Sequence, residues 1–166
     1  MLKNTGIFVA YLVVFWIALP LLLIIVGEAA SSLYPIALPN HPFLYFCGIL
    51  LIASGGALFF LSSKQLAEQG QGLPVSHIHP RKLVRSGPYR YLRHPIYVGY
   101  TLLWAGFACL VGSFWMLTIS LLLLIAGWLL YAHYFEEKIL QRRFGDQYTS
   151  YRNKTPIILI KPDRRK

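Results

Sequence analysis

"PIYVGYTLLWAGFACLVGSFWMLTISLLLLIAGWLLYAHYF", residues 95–135, contains no Lys, Arg, Asp or Glu. A bilayer core takes about 20 apolar residues as helix. The run is too long for one crossing and long enough for two. Gly112-Ser113 near its middle supplies a turn, so the stretch predicts a helical hairpin over about 96–111 and 114–134. Upstream, residues 6–27 offer one span, kinked at Pro20, and residues 43–63 another. The expectation is an all-α, polytopic membrane protein of four transmembrane helices, forming one domain over residues 1–166.

Composition agrees. Of 166 residues, 56% are hydrophobic and only 13% charged, about half the roughly 25% of soluble domains. Mean hydropathy is +0.52. The net charge of +10 could suggest nucleic acid, but its placement argues against that partner. Charged residues are absent between Lys3 and Glu28, between Glu28 and Lys64, and between Arg93 and Glu136. Basic residues confined to the flanks of apolar spans mark membrane topology and anionic lipid. Cys47 and Cys109 both fall inside apolar spans and read as small buried hydrophobes.

The Lys and Arg distribution also orients the chain. The connection 28–42 has none, the segment 64–94 has six, and the tail after Phe135 has nine. Both termini and the long middle loop are therefore expected on the cytoplasmic side. The first apolar run is longer than a signal-peptide core, so an uncleaved first helix is expected. Glycines seven apart, Gly48/Gly55 and Gly99/Gly106, share a helix face and suit close packing. Gly55-Gly56 also offers bare backbone to a cofactor.

The hairpin fixes which residues share a depth. Pro95 is level with about Leu130, and Glu136 lies six residues beyond, about 9 Å at 1.5 Å per residue. Glu136 and Glu137 are thus expected beside Tyr89 to Arg93. Charge and aromatics alone favour interfacial anchoring for Arg90, Arg93, Tyr91 and Tyr97. Gly87-Pro88 and His94-Pro95 impose a defined non-helical path that anchoring does not need. Nor does anchoring need adjacent glutamates in a basic region.

"LVRSGPYRYLRHPIYVG" (Leu83–Gly99) followed by "EEKILQRRFGDQYTSYRNKTP" (Glu136–Pro156) resembles the two signature blocks of the isoprenylcysteine carboxyl methyltransferase and phospholipid methyltransferase families. There the pattern is RHP-x-Y-x-G opening a hairpin, a Glu-Glu pair closing it, then FG-x-x-Y-x-x-Y. The match covers about 80–156.

The resemblance implies an integral membrane enzyme that uses S-adenosylmethionine, held between the cytoplasmic ends of the last helices. It places Tyr89, His94, Pro95, Tyr97, Gly99, Glu136 and Glu137 at the cofactor. It gives Arg93 and Glu137 to catalysis, with Arg90 or Arg93 orienting an anionic acceptor. Carboxylates and tyrosine faces suit the positive charges of a sulfonium cofactor. Prenylcysteine enzymes carry Arg one helical turn before the second glutamate, where His133 stands here. That departure leaves the acceptor open among a lipid amine, a thiol and a carboxylate, each on a lipophilic or lipidated molecule.

Other features carry less chemistry. His77 and His79 have no third metal ligand nearby and read as loop histidines, in a stretch, 68–80, suited to a mobile lid. Gly145 fits a helix stop and Asp146 a cap for the next turn; Tyr148 and Tyr151 fit packing first, with contact to the cofactor a second option. The ending "KPDRRK" reads as a solvated basic tail. No dinucleotide or Walker motif and no repeat is present. The other class of reading is a non-catalytic membrane scaffold that binds anionic lipid through its basic loops.

Overall fold

The computed structural model describes Gly6, Val9, Ala10 and the stretches 13–71 and 80–157. The described residues form helices joined by short turns, with a single isolated bridge, Ala37 to Ser113, between two connections. Helix α1 runs Val14–Leu33, α2 Pro42–Gln65 with a further turn to Gly70, α3 Pro95–Val111 and α4 Phe114–Tyr131. A wide turn, Ala132–Glu136, leads from α4 into α5, Glu137–Phe144, and α6 is Asp146–Lys154. Three helical stretches are long and apolar enough to cross a membrane: Val14–Leu33, Pro42–Gly70 and Phe114–Phe144. Pro95–Val111 is apolar but shorter.

The first two helices run beyond the expected spans, to Leu33 rather than 27 and to Gly70 rather than 63. Glu28 therefore lies within α1 instead of ending it; the helix runs on to Leu33 and stops at Tyr34, which is extended ahead of Pro35. Ahead of Pro20 the helix takes a wide π-type turn over Val14–Ala18. There the Leu19 amide donates to Val14 O. The next amide in that pattern would belong to Pro20, which has none, and the Tyr100 hydroxyl donates to the Phe15 carbonyl instead, at 2.6 Å.

The hairpin forms where the sequence placed it. Gly112, at φ +74°, ends α3 in the left-handed region. Ser113 caps α4, its hydroxyl accepting from the Met116 amide. Helices α2 and α3 meet through the paired glycines. A Cβ on Gly106 would lie 2.6 Å from Gly48 O, and one on Gly99 would lie 2.7 Å from Phe59 N. Gly55 sits against Gly99 O, so its bare backbone serves packing, not a cofactor. Leu23, Tyr100 and Leu124 fill the centre, where α1, α3 and α4 converge and Phe59 of α2 packs in.

Beyond the hairpin, Leu140, Tyr148 and Tyr151 form a second small core with Leu83 and Phe144. Gly145 stops α5 as expected, at φ +52°. Asp146 does not cap α6: it is the first helical residue, Gly145 takes the cap position, and no side chain caps the turn. His77, His79 and most of the 68–80 lid stretch lie outside the described residues, as does the "KPDRRK" tail.

Candidate functional site

The site grows from the loop that precedes α3. Gly87, at φ +54°, turns the chain in a conformation that L side chains rarely adopt. Beside it the Ser86 hydroxyl accepts from Gln65 Nε2 at 2.9 Å and donates to Gln69 Oε1 at 2.6 Å. The loop is thereby fastened to the end of α2. Pro88 starts a 3-10 turn over Gly87–Arg90, and the Leu92 amide donates to Pro88 O. From the other side, the Tyr151 hydroxyl donates to Tyr89 O at 2.6 Å, and the Arg93 amide donates to Pro156 O at 3.0 Å. Loop, α2 and α6 thus hold Arg93 and His94 at the head of α3.

Here the two sequence blocks meet. Arg93 forms a shielded ion pair with Glu137. The Tyr97 hydroxyl donates to Glu136 Oε2 at 2.6 Å. His94 lies between the two carboxylates, with Nδ1 3.4 Å from Glu136 Oε2 and Nε2 3.8 Å from Glu137 Oε1. Arg152 Nε of α6 lies 3.8 Å from Glu137 Oε2. Glu137 is buried, whereas Glu136 keeps part of its surface open. The wide turn Ala132–Glu136 is where α4 passes into α5, with the Glu137 amide donating to Ala132 O.

Electrostatics follow from this packing. Burial opposes a charge on His94, but Glu136 and Glu137 outweigh it and push its pKa up to about 9. The imidazole is therefore positive at neutral pH. Burial, and then the negative charge of Glu137, push the Tyr148 hydroxyl up to about 12. Burial and Glu136 also raise Tyr89, and burial raises Tyr151. All three tyrosines stay neutral.

Between α3 and α4, beneath this cluster, is an apolar crevice of about 240 Å³. His94, Tyr97, Thr101 and Trp128 are among its lining residues, with aliphatic side chains such as Leu121 and Ile125. Its aromatic wall is ordered: Tyr97 stacks on Trp128 at 4.6 Å and 6°, and His94 stacks on Tyr97 at 5.4 Å and 11°.

Among the residues singled out in the sequence, Arg93, His94, Tyr97, Glu136 and Glu137 come together. Contact is with residues 93, 94 and 97, one turn further along than the expected 89–93. Tyr89 is buried beside them against Val84 and Ile96. Pro95 is buried at the helix start, and Gly99 lies against α2 rather than in the cluster. Arg90 is exposed over the Tyr91 ring at 6.0 Å, away from the glutamates. His133 is exposed too, its ring against Tyr134. Tyr151, for which cofactor contact stands second to packing in the sequence reading, belongs to the site, and so do Arg152 and Trp128, which that reading does not single out. Their place depends on how α6 and α4 fold back, which no local motif states.

The profile of the family described as phospholipid methyltransferase matches residues 43–147, more than half of the chain. A Protein-S-isoprenylcysteine O-methyltransferase from Schizosaccharomyces pombe is 35% identical over 105 residues, covering 58% of this chain and 42% of that protein. The matched region thus spans less than half of the relative's length. No solved structure matches the chain. With both blocks of the site assembled in one cluster and the profile extending across α2 to the start of α6, the chain belongs to the phospholipid methyltransferase family of membrane methyltransferases.

Proposed function

We propose that the chain transfers a methyl group from S-adenosylmethionine to a lipophilic or membrane-associated acceptor at the cytoplasmic membrane face. In this reading α1 to α4 all cross the bilayer and both termini are cytoplasmic, the side to which the basic residues assign them. The relative's name points to an isoprenylcysteine acceptor and the family's description to a phospholipid. One observation carries the reading. A pair of glutamates, one shielded and one partly open, meets Arg93, His94 and Tyr97 at the head of an apolar crevice between two membrane helices.

The donor set fits the cofactor. S-adenosylmethionine supplies, when bound, an electrophilic methyl group on a positively charged sulfur. Glu136, partly open and fixed by Tyr97, would hold a cationic group of the cofactor. His94, whose Nε2 is buried without a hydrogen-bond partner, would donate to one of its oxygen or nitrogen acceptors. Arg93 and Glu137 neutralise each other in the wall and fix the loop, a positioning role that matters because methyl transfer depends mainly on proximity and orientation. The apolar crevice excludes water and admits the acceptor's tail from the bilayer.

The test is transfer of a radiolabelled methyl group from S-adenosylmethionine to a membrane extract, using the wild-type chain and Glu136→Ala. Label entering the lipid-soluble fraction with the wild type and not with the variant is the expected result. Equal labelling by both would assign Glu136 no part in the site, and none with either would remove the enzyme reading.

A further inference from the structure

Five charged side chains meet at the head of α3, and they divide by exposure. Those of Arg93, His94 and Glu137 are 10%, 5% and 5% exposed, whereas Glu136 is 23% exposed and Arg152 50%. What the cluster turns toward solvent is therefore one carboxylate and one guanidinium. The shielded three do not balance, because Arg93 and the protonated His94 stand against Glu137 alone. Adding the open pair changes nothing in that sum, and one positive charge is left over.

Arg152 is held in place without being used up. Its Nε lies 3.8 Å from Glu137 Oε2, an ion pair too long for a hydrogen bond, while Arg93 bonds Glu137 Oε1 directly. No hydrogen bond to a described residue engages its guanidinium. Nε is its nearest nitrogen to Glu137, so the two outer nitrogens stand further off. Their parallel N–H groups match the two oxygens of a carboxylate. The backbone on either side is fixed. The Tyr151 hydroxyl donates to Tyr89 O at 2.6 Å, the Thr155 amide donates to Tyr151 O at 2.9 Å, and Pro156 O accepts from the Arg93 amide. Arg152 stands one residue past the FG-x-x-Y-x-x-Y pattern and beyond residues 43–147 that the family profile matches.

Resting on the methyltransferase reading, we propose that Arg152 binds the carboxylate of the cofactor's amino-acid end while Glu136 binds its ammonium, so that the open pair selects a zwitterion. S-adenosylmethionine offers Glu136 two cations, the sulfonium and the ammonium. Only the ammonium comes with a carboxylate on the same carbon, and so answers both open groups at once. A lone cation at Glu136 would raise the local surplus from one positive charge to two, whereas a zwitterion adds none. An arginine suits the task better than a lysine, because its planar fork takes both carboxylate oxygens. With its amino-acid end tied at two points on α5 and α6, the cofactor is oriented by groups remote from the transferred methyl.

Isothermal titration of the full chain in phosphatidylcholine nanodiscs tests this with two probes. One is S-adenosylhomocysteine; the other is its decarboxylated counterpart S-adenosyl-3-thiopropylamine, which keeps the ammonium and the thioether. The wild type should bind S-adenosylhomocysteine about tenfold or more tightly than the amine, the scale of a hydrogen bond to a charged group. Arg152→Gln should weaken S-adenosylhomocysteine by a similar factor and leave the amine as in the wild type, which also shows that the variant is folded. Arg152→Lys should recover part of the loss, and Glu136→Gln should weaken both probes. A wild type that binds the two probes equally, or an Arg152→Gln variant that weakens both alike, would overturn the proposal and leave Arg152 a structural contact of Glu137. Unchanged S-adenosylhomocysteine affinity in Arg152→Gln would overturn it too, leaving Arg152 to the phosphates of the surrounding lipid. A folded wild type that binds neither probe would remove the methyltransferase reading itself.

Discussion

Glu136 and Glu137 are neighbours in sequence with different surroundings. The Glu137 side chain is 5% exposed and faces Arg93 and Arg152, while that of Glu136 is 23% exposed and accepts from Tyr97. Removing one partner of a buried ion pair costs about 3–5 kcal/mol. Glu137→Ala should therefore lower the thermal unfolding midpoint strongly. Glu136→Gln removes one of the two charges that hold the His94 proton, so it should lower the midpoint less than Glu137→Ala and still lose cofactor affinity. A midpoint equal for both variants would count against the division of roles. His94 gives a pH test. Its pKa is about 9 in the folded chain against an ordinary 6.5, so the folded state holds this proton more tightly than the unfolded one. The stabilisation is full below pH 6.5, fades as pH rises and is gone above about 9. Unfolding midpoints of the wild type should fall across that window, and His94→Gln should flatten the fall. An unchanged slope in the variant would refute the assignment. The meeting of the glutamates with Arg93 and His94 was legible because one hairpin turn sets their depth. Arg152 and Trp128 were not, since burial and missing partners arise only when separate helices pack.

At the scale of elements, the α2–α3 seam is the sharpest constraint. Gly106 meets backbone at 2.6 Å, whereas a Cβ on Gly56 would meet nothing nearer than Leu103 Cδ2 at 3.6 Å. Gly106→Ala should destabilise by about 1–3 kcal/mol, as overpacking generally does. Gly56→Ala, on the facing helix α2, should be tolerated. Denaturation of both variants in the same detergent checks this, and equal stability would contradict the seam. The seven-residue glycine spacing made this contact readable in the sequence. The wide turns at Val14–Ala18 and Ala132–Glu136 were not readable. A π-type turn adds one residue without changing the hydrophobic run, so composition carries no trace of it. The extension of α1 through Glu28 escaped notice for a related reason: one charge near a helix end marks the membrane boundary, not the helix boundary.

For the whole molecule, topology and chemistry depend on each other. The cluster at Arg93 and Glu137 sits at one end of the α3–α4 hairpin, and the turn at Gly112-Ser113 at the other. If the basic end is cytoplasmic, Ser86→Cys should react with an impermeant maleimide in inverted vesicles, and Ser32→Cys only in right-side-out ones. Both serines are exposed, and the labelling would be done with Cys47 and Cys109 replaced by Ala. The reverse pattern would invert the topology. The family was legible from two short blocks because their order and separation encode the hairpin that joins them. The acceptor was not, since it depends on which atoms line a crevice between helices. The most direct single measurement is isothermal titration of the purified full chain with S-adenosylhomocysteine, beside Glu136→Gln. Saturable binding by the wild type, lost in a variant that remains folded, is the result expected. Wild-type protein that shows no binding, or a variant that binds as tightly, would contradict the assignment of this cluster as a cofactor site.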